Sequence, residues 1–160
     1  MAGFTVRPLT SADRDWVCQK TVKEWGAEFV VSHNTVFHPA ELPGFAAEIA
    51  YEIVGLLTYN IANGDCEIVT LDSWSESRGI GTALIEAVKQ AASEAKCRRA
   101  FLVTTNNNTH ALHFYQKRGF TFAAVRINAM EQARKIKPEI PFSDEEGLPI
   151  RDEIELEIWL

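Results

Sequence analysis

Cysteine is scarce and scattered. Cys18, Cys66 and Cys97 lie far apart and form no CxxC pair. That excludes a disulfide-stapled scaffold and is expected of a cytoplasmic protein with reduced thiols. No spacing among His33, His38, His110 and His113 matches a zinc site. There is no run of about 18 apolar residues, so no transmembrane helix is expected. The opening MAGFTVRPLT lacks the apolar stretch of a signal peptide. Positive charge is in deficit, with 16 Lys and Arg against 22 Asp and Glu and a net charge of -6. Nucleic acid is therefore not expected as the main partner. Two common phosphate loops are missing too. A P-loop needs Gly-Lys-Ser/Thr, but "GTA" at 81–83 has no lysine. A GxGxxG turn needs glycine where Leu84 stands.

What is present suits one domain spanning 1–160, with no repeat and an ordinary 46% of hydrophobic residues. Phe4 to Leu9 reads as a strand, followed by a helix capped at Thr10 with Asp13 three residues on. Its inward residues are expected to be Val17, Cys18, Val22 and Trp25. The stretch 26–44, with Pro39 and Pro43, reads as a loop holding at most a short helix or strand. Strands are expected over 45–50, 53–61 and 66–72, the last two joined by the hairpin signal Asn63-Gly64. Helical spacing then takes over at Ile80, Ala83, Leu84, Ala87, Val88 and Ala91. A strand at 99–105, a helix at 109–118, a strand over 122–130 and an irregular segment 131–150 complete the middle. The ending DEIELEIWL alternates strictly, which predicts a strand with glutamates on a wet face. The pattern implies an α/β (α+β) fold: a mixed, mostly antiparallel sheet, a central parallel βαβ unit and helices on both faces.

Gly79 and Gly81 sit two apart where the helix at 80 begins. Free amides and a positive dipole gather there, and small residues let a phosphate approach. They equally permit close packing. The wider pattern goes further. Glu76-Ser77-Arg78-Gly79-Ile80-Gly81 and the series Asn108, Ala111, Tyr115, Gly119, Phe120 resemble two motifs of the Gcn5-related N-acetyltransferase (GNAT) family. The resemblance covers 66–120 in residue detail. Glu76 stands where that family usually has Arg or Gln, leaving Arg78 as the nearby cation.

The resemblance implies acetyl-CoA as co-substrate, lying between the strands at 66–72 and 99–105. Backbone at Val69 and Leu71 would pair with the pantetheine. Amides of Arg78, Gly79, Ile80, Gly81, Thr82 and Ala83 would meet the pyrophosphate, and Asn108 would touch the cofactor from the other side. The implied reaction moves an acetyl group to a primary amine of a small molecule or peptide, with neither nucleic acid nor membrane as partner. A catalytically silent acyl-CoA-binding module is the alternative. Tyr115 would protonate the leaving thiolate, since a phenol with pKa ~10 stays protonated at neutral pH. Asp65 and Glu67 stand as candidates for the base, sharing strand parity with Val69 and Leu71. A solvated hairpin end explains them equally well. The last strand, with Trp159, is a candidate homodimer edge.

Overall fold

The computed structural model describes residues 3–75 and 79–160. Glu76, Ser77 and Arg78 lie outside the described residues, and with them the expectation for Arg78. In chain order the strands are β1 (Thr5–Pro8), β2 (Val30–Ser32), β3 (Thr35–Phe37), β4 (Gly44–Ile49), β5 (Glu52–Ala62), β6 (Asp65–Ser73), β7 (Arg99–Thr105), β8 (Thr121–Arg126) and β9 (Glu153–Trp159). The helices are α1 (Arg14–Trp25), α2 (Ile80–Glu94), α3 (Thr109–Lys117) and α4 (Ala129–Ile136). Seven strands form one mixed sheet in the order β1-β4-β5-β6-β7-β9-β8, and β2 with β3 makes a separate hairpin. Among the described residues only β6 and β7, joined through α2, run parallel. This is the mixed sheet with a central parallel unit that the sequence pattern implies.

One face of the sheet carries α2. Its apolar stripe of Ile80, Leu84, Ile85, Val88 and Ala92 is buried. It packs with Leu57, Cys66, Ile68, Ala100 and Leu102 in a core that also holds Tyr115, Phe120, Ile154 and Leu156. The turn between β5 and β6 uses the expected Asn63-Gly64, both at positive φ (55° and 80°).

Three expectations are corrected. In α1 the inward stripe is Val17 and Thr21, while Val22 and Trp25 are exposed. The Thr21 hydroxyl donates to the Val17 carbonyl at 2.8 Å, so a polar residue is buried without an orphaned group. The strand expected over 122–130 ends at Arg126. Asn128 adopts φ 61°, its N–H donates to Asp152 Oδ1 at 2.9 Å, and α4 follows within the segment read as irregular. Val125, Arg126 and Ile127 hide that break, because they keep strand character until the chain turns at Asn128.

The glutamate face of β9 is not wet. Glu153 is 4% exposed. Arg99 Nη1 bonds Glu155 at 2.9 Å and Glu157 at 2.7 Å, while Arg126 bridges Glu153 and Glu155 at 3.2 and 3.1 Å. The backbone N–H of His33, in the β2–β3 turn, donates to Glu153 from above at 3.1 Å. Alternation correctly separates the two faces of β9, but cross-strand arginines cover the polar one.

Candidate active site

The sheet opens at its centre. β6 and β7 pair over Asp65↔Arg99, Cys66↔Ala100 and Glu67↔Phe101, and among the described residues the ladder stops there. β6 nevertheless continues to Ser73 and β7 to Thr105. The cause is visible on the other edge of β6. Its pairing with β5 steps from Thr58↔Thr70 to Tyr59↔Ile68, leaving Val69 as an extra residue in a β-bulge. A bulge bends the strand that carries it, and here it coincides with the parting from β7. The inner edges of the two strands thus carry backbone donors and acceptors with no strand between them, which suits an extended ligand.

A cleft of about 520 Å³ occupies this gap, within the size range of small-molecule sites. Residues 68–73 of β6, 102–104 of β7, the start of α2 and the inner face of α3 line it. Val69 and Leu71, expected to meet a cofactor through their backbone, are both in the lining.

The bulge also resets which side chains share a face. Ile68 lies in the α2-side core. Directly opposed residues of antiparallel strands share a face, so Leu71 joins core residue Leu57 there. Thr70 points the other way, its hydroxyl 2.6 Å from that of Thr58. Asp72, opposite Leu56, follows Thr70. Simple alternation had Asp65 and Glu67 sharing the face of Val69 and Leu71. The extra residue instead puts Glu67 on the face of Thr70 and Asp72.

The two glycines have different reasons to be glycine. Gly79 is the N-cap of α2 at φ 77°, with open space where a Cβ would stand. Gly81 is in the first turn, and a Cβ there would come within 2.9 Å of two ring atoms of Phe114. It lets α3 close on α2. Among the described residues no side chain caps α2. The Ala83 amide donates to the Gly79 carbonyl at 3.0 Å, so Ala83 is spoken for and the donors facing outward end at Thr82. Gly79, Ile80, Gly81 and Thr82 all line the cleft. Arg118 lies beside them. Its Nε donates to Thr82 Oγ1 at 3.0 Å, and its guanidinium stacks 3.6 Å from the Phe114 ring centre. A cation at the mouth of a helix N-terminus forms an anion site. The sequence reading missed it, because Arg118 looks like an ordinary basic residue at a helix end.

Tyr115 reaches the cleft from α3. It is 7% exposed and packs edge-on to Phe114 and Phe120, with ring centres 5.1 and 5.3 Å away. Burial, and then the nearby Asp72 charge, push its phenol well above the ordinary tyrosine value. It therefore stays protonated at any pH where the fold would work. Asp72 was not singled out from the sequence. Burial first and Glu24 second raise its carboxyl to about 6, opposed by Trp25 and Lys20. Asp72 and Trp25 both line the cleft.

The other expected site residues are spread out. Asn108 lines the cleft and N-caps α3, its Oδ1 accepting the Ala111 N–H at 3.1 Å. Glu67 takes a hydrogen bond from the Ser32 hydroxyl under the β2–β3 hairpin. Burial, then Glu155 and Glu153, raise its carboxyl, while Ser32 and Arg126 oppose this. It is not in the lining of the cleft. Asp65 sits at the closed end of the β6–β7 pair, bonded to Arg98 and Arg99 at 3.1 Å each. Those cations hold its carboxylate in a structural link, away from the open gap.

Comparison with known proteins agrees with this geometry. The acetyltransferase (GNAT) family model matches residues 11–120. YdhI of Bacillus subtilis (strain 168) is 51% identical over 133 residues, covering 82% of this chain and 83% of that one. YxbD of the same organism is 42% identical over 152 residues, covering 94% and 96%. A solved GNAT family acetyltransferase from Elizabethkingia anophelis, with acetyl-CoA bound, superposes with TM-score 0.68 at 20% identity, covering all of both chains.

Proposed function

The chain belongs to the GNAT family of acetyltransferases, and we propose that it moves an acetyl group from acetyl-CoA to a primary amine by direct attack. One observation carries this reading. Among the described residues, the only parallel strand pair of the sheet parts at a bulge, and the cleft has helix amides without a side-chain cap at one end and a buried phenol on its wall. The unpaired inner edges of β6 and β7 suit the amide-bearing pantetheine arm. The Ile80, Gly81 and Thr82 amides, together with Arg118, suit a diphosphate. Tyr115 stands as the acid that returns a proton to the departing sulfur, and the Asn108 amide group remains available to the co-substrate. The acceptor is a primary amine carried on a small molecule or a peptide end.

Calorimetric titration with acetyl-CoA tests the first half. Binding with micromolar affinity, followed by amine-dependent release of free CoA thiol across a panel of primary amines, is the expected result. Absence of binding removes the proposal, and binding with no turnover on any amine leaves a silent acyl-CoA module instead. The phosphate site has its own check. Arg118→Ala is expected to weaken CoA binding about tenfold or more, as loss of a charged hydrogen-bond donor implies. The loss should shrink when dephospho-forms lacking the diphosphate, such as pantetheine, replace CoA. An unchanged Kd for CoA would assign Arg118 to packing alone.

A further inference from the structure

An alkyl ammonium must lose a proton before it can attack a thioester. Glu67, one of the two carboxylates that the sequence offers for that proton, is bonded to Ser32 and lies outside the cleft lining. Asp65 is bonded to two arginines. The four histidines give no better choice. The His33 backbone is tied to Glu153, His38 rests near the Phe29 ring, His110 lies at the exposed rim, and His113 is exposed on α3 outside the cleft lining.

Asp72 differs from all of these. The bulge at Val69 turns it onto the α1 side of β6, while Tyr115 enters the cleft from α3 on the opposite side of the sheet. The two residues thus line the same gap, where a thioester between the strands would lie, and the Asp72 charge acts on the Tyr115 phenol. Resting on the acetyltransferase reading above, we propose that Asp72 is the catalytic residue that takes the proton from the acceptor ammonium.

The steps balance. The Asp72 carboxylate removes one proton from R–NH3+. The freed nitrogen lone pair forms the C–N bond at the thioester carbonyl carbon, and the C–S bond breaks with its electron pair on sulfur. The Tyr115 phenol gives its proton to that sulfur. The remaining excess proton on nitrogen restores the phenol, and Asp72 later releases its own proton to solvent. The products are an N-acetyl amine, CoA thiol and one proton.

The electrostatics agree with the role. A carboxyl titrating near pH 6 is ionised at neutral pH and still basic enough to accept a proton. The charged or titratable groups facing it are Lys20 and Glu24 of α1 and Tyr115 of α3, with Arg118 acting on the Tyr115 end. Lys20 lies over the Trp74 ring, 4.6 Å from its centre, and Trp74 donates to Glu24 at 3.2 Å. The two α1 charges act on Asp72 in opposite directions, the acid raising its carboxyl and the cation lowering it.

The test compares wild type, Asp72→Asn and Glu67→Gln. The substrates are acetyl-CoA and the best alkylamine from the panel above. Wild-type kcat/KM is expected to fall below about pH 6. In Asp72→Asn that acidic limb disappears, the rate at pH 7 falls about 100-fold or more, and it recovers toward pH 9.5, where the amine begins to deprotonate unaided. Hydroxylamine, already neutral at pH 7, should be acetylated nearly as fast by Asp72→Asn as by wild type. An intact acidic limb and rate in Asp72→Asn, or their loss in Glu67→Gln alone, overturns the proposal while leaving the acetyltransferase reading standing. Failure of acetyl-CoA to bind the wild type sinks both. A second readout needs no acceptor. A carboxyl raised on folding destabilises the fold once ionised, so Asp72→Asn should raise Tm at pH 8 and not at pH 4. Equal Tm changes at both pH values would mean that Asp72 is not held in a desolvated site facing the cleft.

Discussion

Tyr115→Phe is expected to lower kcat about 100-fold, the usual scale for a lost positioned proton donor, with little change in the Kd for acetyl-CoA. Every contact of the ring with Phe114 and Phe120 survives the substitution, so the fold should be kept. Only the hydroxyl goes, from a residue that lines the cleft between β6 and β7. The phenol is held above its ordinary value first by burial and then by the Asp72 charge, so its own ionisation should not appear in the pH profile below about pH 10. A defect confined to release of CoA, with normal cofactor titration, is the signature. Steady-state kinetics at saturating acetyl-CoA decide it, and an unchanged kcat would remove Tyr115 from the chemistry.

Gly81→Val should cost more than cofactor affinity. Its Cβ would press into the Phe114 ring at 2.9 Å, and that ring carries the Arg118 guanidinium on its face. Moving Phe114 displaces Arg118 from Thr82. Overpacking of this kind costs about 1–3 kcal/mol, and CoA affinity should fall with it. Gly79→Ala is the informative contrast. Open space surrounds that position, so no contact is broken, but φ 77° is a left-handed conformation. The cost is about 1–2 kcal/mol of backbone strain, with the Phe114–Arg118 stack intact. Urea unfolding and CoA titration on both variants separate the two causes. Equal behaviour of the pair would mean that the close approach of α2 and α3 has no role in forming the anion site.

Much of this site was legible in one dimension. Helix α2 follows from its 3.6-residue apolar stripe, the β5–β6 hairpin from Asn63-Gly64, and the helix start beside Gly79 from punctuation alone. These are local patterns, and local backbone preference produces them. Helix α4 was not legible, because VRINAM reads as a continued strand until the Asn128 bond to Asp152, a residue 24 positions away, ends it. The wet face expected of β9 failed for a similar reason. Its glutamates meet Arg99 and Arg126 from neighbouring strands.

Residue type and spacing along the chain sufficed for the family resemblance and the parallel crossover, and they singled out Tyr115, which lines the cleft. They could not tell which carboxylate looks into the gap. One extra residue at Val69 reverses the alternation that follows it, moving Asp72 to the face that parity would have denied it and tucking Glu67 beneath Ser32. Strand alternation is a property of the chain alone. A bulge is a property of two strands in register, and it exists only once β5 has paired with β6.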